Sequence, residues 1–330
     1  MEKSKYNLLL LISLLAVSDV SMAAWFFDFD GDDSQIVSDL LFFGSARLAE
    51  NGGVPSSDAS GYLSLTDAQL GQSGAIVFPH FPSDDLGTIV LRMRIRIGGG
   101  TELPGDGMSV SLVRPTDPIL HAVSFDDRES NPESVQAHFV GAPMGSGSGL
   151  PEEGTSTGIS VGFDEWQSHR TAPDATLTSC GDLRFDCVGI SVRIDGELVA
   201  QEPFPTSNGE LMDSTSLQTG SGELSELGWA ELQIGVGPAA PRHANRWVDV
   251  RYKDREIYHG IHELDGGPTQ LVLAARTGGA FAHHHVDEIS VPEVSFLWPP
   301  FSDFNEDGVI DFADYAILLR HMNTDGDYFA

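Results

Sequence analysis

In the stretch Leu91-Arg92-Met93-Arg94-Ile95-Arg96-Ile97 every second residue is apolar and every one between is arginine, and this period of two constrains the chain more than any other feature. A strand sends successive side chains to opposite faces, so the segment buries one face and offers the other to water, as in a half-buried antiparallel sheet. A helix anywhere across residues 88–113 would contradict that reading. The same period recurs in Trp25 to Phe29, Tyr62 to Leu65, Ala75 to Phe78, Met108 to Val113, Ala122 to Phe125, Ile159 to Phe163, Ile190 to Ile194, Leu232 to Val236, Val248 to Tyr252, Leu271 to Ala275 and Val286 to Val291. About a dozen strands, punctuated by turn residues and with hardly a helix, predict an all-β body of two packed antiparallel sheets. Ile97, Val110, Val161 and Val192 are expected to face inward. The long Gly/Pro/Ser-rich loops, Asn131 to Thr157 and Thr171 to Asp186, are where function is expected.

Lys3 and Lys5 precede the apolar run Leu8 to Val17, and Ser21-Met22-Ala23 offers a small-residue cleavage site. Residues 1–23 therefore read as a secretory signal peptide, and the protein as secreted or held at the cell surface. No later stretch is long and apolar enough to predict a transmembrane anchor. The 49 acidic against 18 basic residues leave a formal charge of −31, a field that repels phosphate backbones and argues against nucleic acid as a partner. Cys180 and Cys187 lie close together in an exported chain and predict a local disulfide rather than a zinc site, which would want more ligands nearby.

A family pattern runs through residues 24–295. Gly61-Tyr62-Leu63-Ser64-Leu65-Thr66 comes first, then Gly74 to Phe78, the arginine-striped strand, and Gly105-Asp106-Gly107. Gly158 to Trp166, Gly189 to Val192, Arg276-Thr277-Gly278-Gly279 and His285 to Val291 follow in order. Together they resemble the concanavalin A-like lectin/glucanase superfamily. The resemblance implies a jelly-roll of two large antiparallel sheets with a sugar site on the loops above the concave sheet. It implies that Asp106 and Gly107, Asp164 and Trp166, and Gly278 and Gly279 contact carbohydrate. The metal strand of legume-type lectins matches at Phe163-Asp164-Glu165-Trp166. Gly162 and Ser168, however, stand where that family's glutamate and asparagine ligands belong. Acidic residues at Phe125-Asp126-Asp127, with Asn131, Glu133 and His138, offer a second ligand set, and either group also reads as a solvated acidic loop.

Glucanases of this fold carry an E-x-D-x-x-E strand, whose alternation places the carboxylates on one face. No such pattern occurs; Glu263-Leu264-Asp265 is the nearest approach and has Pro268 where the second acid should stand. Hydrolysis is thus the minority reading. On a strand His283, His285 and Asp287 would share one face as a three-ligand zinc set, or they are surface histidines of an edge strand. Trp166, Trp229 and Trp247 read as core residues or as stacking platforms for sugar rings.

Beyond a linker at 296–302, the segment Asp303-Phe304-Asn305-Glu306-Asp307-Gly308-Val309-Ile310-Asp311-Phe312-Ala313-Asp314 has the spacing of a calcium loop. Side-chain oxygens come from Asp303, Asn305, Asp307, Asp311 and Asp314, a carbonyl from Val309, and Gly308 makes the sharp turn. Pro299-Pro300 leave no room for an entering helix, whereas Phe312, Tyr315, Leu318 and Leu319 form a helical stripe after it. A loop with only an exiting helix resembles one dockerin repeat, so residues 303–330 are expected to bind Ca²⁺ and, as that resemblance implies, to offer a face to a cohesin-like or cell-surface partner. The chain as a whole reads as a carbohydrate-binding protein for a polysaccharide or glycoconjugate. A glycoside hydrolase of the same fold, or a structural or adhesive envelope protein, are the alternatives.

Overall fold

The computed structural model describes residues 25–30, 40–54, 60–78, 89–114, 117, 151–166, 188–206, 216–220, 223–238, 245–264 and 270–291. Fifteen strands form within them. In chain order they are β1 (Trp25–Phe27), β2 (Leu41–Gly44), β3 (Arg47–Ala49), β4 (Tyr62–Thr66), β5 (Ser73–Phe78), β6 (Ile89–Gly98), β7 (Gly107–Val113), β8 (Ile159–Asp164), β9 (Gly189–Ile194), β10 (Glu197–Pro203), β11 (Ala230–Pro238), β12 (Asn245–Tyr252), β13 (Arg255–Glu263), β14 (Gln270–Arg276) and β15 (His283–Val291). The eight-stranded sheet runs β13-β12-β11-β6-β15-β4-β3, with β1 also paired to β15, and the seven-stranded sheet runs β10-β9-β8-β7-β14-β5-β2. Every pairing is antiparallel. The only other regular elements among the described residues are two short 3-10 turns.

The arginine-striped segment is the centre of β6. Leu91, Met93, Ile95 and Ile97 are buried in the core while Arg92 and Arg94 face out. Val110 and Val161 from the other sheet meet Ile97 in one apolar cluster, with Val192 beside them, so alternation alone identified the inward face. Burying such side chains stabilises by roughly 1.5–3 kcal/mol each, which is why a one-residue register slip is strongly disfavoured.

Four strands go beyond what the apolar pattern predicts. All four end a sheet: β2 and β3 are short, and along β10 and β13 burial is partial over nearly the whole strand. Strands at an edge are held by backbone pairing on one side and carry little apolar alternation to read. The segments Ala122 to Phe125, Cys180 to Cys187, and 296–330 lie outside the described residues.

Candidate functional site

The loops β4–β5, β6–β7 and β14–β15 and the exit of β8 meet at one end of the two sheets. Backbone bonds tie them: Gly71 N–H to Gly278 O at 3.3 Å, Thr101 N–H to Phe281 O at 3.1 Å, and the Glu165 and Trp166 N–H groups to Asp106 O at 2.9 and 3.2 Å. The loops therefore form one surface. Three large apolar side chains are exposed on it, Leu70 at 71 %, Leu103 at 58 % and Trp166 at 39 %. Close approach needs glycine at two points: a Cβ on Gly100 would sit 2.3 Å from Phe281 O, and one on Gly278 would sit 2.9 Å from Asp106 Oδ1. Gly279 is exposed, with open space where a Cβ would be.

This end therefore brings together Asp106, Gly107, Asp164, Trp166, Gly278 and Gly279. Trp166 stands against Gly105, and its N–H is also accepted by Asp164 Oδ1 at 2.9 Å. The Gly105–Asp106 peptide is cis. Asp106, however, is not an open acceptor. Its carboxylate is 8 % exposed and lies 3.3 Å from Arg276 Nε. Arg276 in turn grips Glu152 with a two-point fork, Nε to the two carboxylate oxygens at 3.1 and 2.8 Å and Nη2 to Oε1 at 2.6 Å. Burial pushes the Asp106 and Glu152 carboxyls above their ordinary range, and Arg276 opposes that in both.

Glu152 reaches the site on a strap, residues 151–155, that crosses the outer face of the seven-stranded sheet. Serines on that face pin it: Ser109 Oγ donates to Pro151 O at 2.5 Å, and Ser160 Oγ accepts from Thr155 N–H at 3.1 Å. Gly162 leaves the necessary gap, because a Cβ there would lie 2.2 Å from Glu152 O. The position where the family resemblance expects a metal-binding glutamate thus lies under the strap. A dication about 4 Å from the guanidinium would meet about 8 kcal/mol of repulsion at an effective dielectric near 20. Among the described residues, the Asp106–Asp164 group does not fit a bound calcium.

Behind it, Glu165 turns into the core. Its Oε2 lies 2.6 Å from His284 Nε2, and His284 Nδ1 lies 2.7 Å from Thr66 Oγ1, with Glu165 and His284 side chains fully buried. The simplest tautomer has Nε2–H donating to the carboxylate and Nδ1 accepting from threonine. Among the described residues, Glu165 Oε1 has no hydrogen-bond partner. This link fastens the Asp164–Trp166 segment to the opposite sheet.

The histidine run is not on an edge strand: β15 lies between β6 and β4, and His284 and His285 are buried. His283 and His285 share the outward face, but Asp67 rather than Asp287 completes their cluster. Asp287 instead accepts backbone N–H bonds from Val54 and Glu288. A metal on His285 would need the Nε2 lone pair. Arg96 Nε and Nη2, 3.1 and 2.9 Å from His285 Nδ1, can only donate, so the ring proton sits on Nε2 facing Asp67 Oδ1 at 3.4 Å. His283 Nδ1 likewise accepts from Ala68 N–H. The set therefore does not fit a divalent cation. Burial lowers the His283 and His285 pKa values to about 4 and about 3, and the His285 ring edge facing it at 3.4 Å, with Arg47 beside it, holds Asp67 well below the carboxylate range.

Arg96 itself sits in the corner of two rings that meet edge-on, its guanidinium carbon 4.6 Å from the Tyr62 ring centroid and 4.2 Å from that of Trp229. Trp229 also borders a polar cleft of about 510 Å³ whose other walls include Arg94, Glu231, Lys253 and Asp254. Its cations are engaged, Arg94 by Glu231 and Glu288 and Lys253 by the Ser216 and Gln218 carbonyls. Trp247 packs over Gly235 and Gly237. Glu263, the nearest sequence approach to a glucanase pair, is exposed at the end of edge strand β13.

No family model matches the chain, and no curated protein matches it either. Among solved structures, the VIP36 exoplasmic/lumenal domain in its Ca²⁺/Man2-bound form is 14 % identical, over 87 % of this chain and 92 % of that one, at a TM-score of 0.46. The Emp46p carbohydrate recognition domain in its metal-free form is 9 % identical, over 80 % and 93 %, at 0.45. A legume lectin-like domain from Entamoeba histolytica is 16 % identical, over 82 % and 97 %, at 0.43. At identities this low, residue roles do not carry from one chain to another.

Proposed function

We propose that this protein is an exported carbohydrate-binding protein. Its sandwich, residues 24–295, presents a glycan site on the loops around Asp106, Trp166 and Gly278–Gly279. One observation carries the reading: an exposed indole and two exposed aliphatic side chains lie on a rim whose loops converge on a fixed carboxylate and glycine backbone. Sugar rings present an apolar face and a fringe of hydroxyls, and such a rim offers both a stacking surface and hydrogen-bonding backbone. The ordered sequence motifs quoted above support the same reading. Residues 303–330 form a separate calcium-binding tail, in which Asp303, Asn305, Asp307, Val309, Asp311 and Asp314 hold the ion and fold the helix that follows.

A glycan array with the full chain tests this. Trp166→Ala is expected to cut retention of the bound glycans at least tenfold, the loss of about 1.4 kcal/mol or more of stacking, while leaving thermal unfolding unchanged. An array silent at high protein concentration, or a Trp166→Ala protein that binds as the parent does, ends the reading. Release of reducing ends from the bound polymer would favour the hydrolase alternative.

A further inference from the structure

We propose that Arg276 is the resident cation of the sandwich site, so that this site works without a divalent metal. For the ligand the inference rests on the glycan-binding reading above; for the metal it stands alone. The Arg276 guanidinium faces three carboxylates: Glu152 through the fork, Asp106 at 3.3 Å, and Asp164 electrostatically. Asp106 and Asp164 are the acids that the sequence resemblance places around bound sugar and metal. A calcium ion takes about 6–8 oxygens at 2.3–2.6 Å. Here both Glu152 oxygens already face donors, and Asp164 Oδ1 accepts the Trp166 N–H.

The arginine cannot easily withdraw. It ends β14, where its backbone is paired with Gly107 on one side and Ser73 on the other, and its side chain is 6 % exposed. The site is also built for its partner. Gly162 has no side chain, the Glu152 strap runs through that space, and Gly154 fits against Ser111 and Ser160 where a Cβ would come within 2.7 Å. The strap thus delivers a carboxylate to the arginine from the direction in which the metal-bearing side chain is missing. The guanidinium orients Asp106 as a bound ion would and leaves Asp106 O holding the Glu165 and Trp166 amides.

The experiment uses the full chain carrying Asp303→Ala and Asp314→Ala, which silences the calcium loop of the tail, and first adds calcium alone. Unfolding midpoints in about 5 mM calcium and in EGTA are expected to agree within about 1 °C, since a bound ion would stabilise by mass action. A rise of more than about 3 °C with calcium overturns the proposal. In the same background Arg276→Gln is expected to lower the midpoint in EGTA by several degrees and Arg276→Lys by less; an Arg276→Gln protein as stable as its parent also overturns it. Should Arg276→Gln fail to fold, the calcium comparison on the parent decides by itself. The glycan array is then repeated in EGTA. Undiminished binding is expected and calcium-dependent binding is contrary to it, whereas a silent array removes only the glycan reading and leaves the calcium comparison standing.

Discussion

Each sheet carries a buried arginine, and the two are satisfied in different ways. Arg276, on the seven-stranded sheet, is held by carboxylates. Arg96, on the eight-stranded sheet, packs into the corner of two aromatic rings and donates to a histidine nitrogen and the Gly52 carbonyl. One neutralises charge at contact; the other touches neutral groups, with the Asp287 and Asp67 carboxylates acting on it from farther off, and burial lowers its pKa. Burying a cation is tolerable by either route, but the partners left behind differ. Without Arg276, Asp106 and Glu152 become buried charges with no counter-ion. Without Arg96, His285 and the Gly52 carbonyl lose a donor, and Asp287 and Asp67 lose only a more distant positive charge.

The comparison predicts the largest effect for Arg276→Met, about 3–5 kcal/mol of lost stability in urea unfolding, against about 1–3 kcal/mol for Arg96→Met. Equal losses, or the reverse order, would break the contrast. Pairing Arg276→Met with Glu152→Gln should recover more than about 1 kcal/mol relative to the sum of the single changes, since the second removes the charge the first exposes. Simple additivity would mean that the fork contributes little.

Acid should separate the two regions by sign. His283 and His285 fall from an ordinary value of 6.5 to about 4 and about 3 in the folded state, so below pH 6.5 the unfolded chain takes up protons that the folded one refuses. Their contribution is full above pH 6.5 and is lost as pH falls toward 4, with a slope of up to about 2.7 kcal/mol per pH unit. Asp106 and Glu152, with raised values, act oppositely: the folded state keeps their protons longer, and stability from them is lost as pH rises through their folded values. Asp287, pushed up to about 7 by burial, shares that second sign. The histidine part is therefore read from the difference between the parent and a His283→Gln/His285→Gln chain, which should lose less stability between pH 6.5 and 4.5; identical profiles would exclude the histidines as its source. The smallest effect expected is at the surface. Arg94→Gln removes half-exposed pairs to Glu231 and Glu288 and should change stability by less than about 1 kcal/mol, and less still in high salt.

What the sequence made legible follows the range of the forces involved. Alternation is a local signal of burial, so β6, β7, β8, β9 and β14 could be read directly, whereas β10 and β13 bury too little to advertise themselves. The loop residues of the candidate site were legible as ordered motifs, and they converge. Its ionic partner was not: Glu152 and Arg276 are 124 residues apart, and nothing local to either marks the other. The one available signal was a single arginine ending the apolar run Leu271 to Ala275, hydrophobic up to the point where it meets the site. The buried histidines were hidden for the same reason, since Thr66, Glu165 and Arg96 approach them only through the fold.

The strand order has a consequence for the time course of folding. The last two described strands enter the middle of the two sheets, β14 between β7 and β5 and β15 between β6 and β4. Until they arrive, each sheet is in separate pieces, with inner edges of unpaired backbone groups and part of its apolar face open to water. As the chain is synthesised, the seven-stranded sheet cannot close before residue 276 has emerged, nor the eight-stranded sheet before residue 291, and the pairing of Trp25 with Val291 joins the two ends of the described body. Contacts this distant in sequence make folding slow, so the nascent chain passes through a long interval in which its central strands are adhesive. The acidic excess of −31 acts in that interval, before any site exists, by keeping the half-built sheets of neighbouring chains apart.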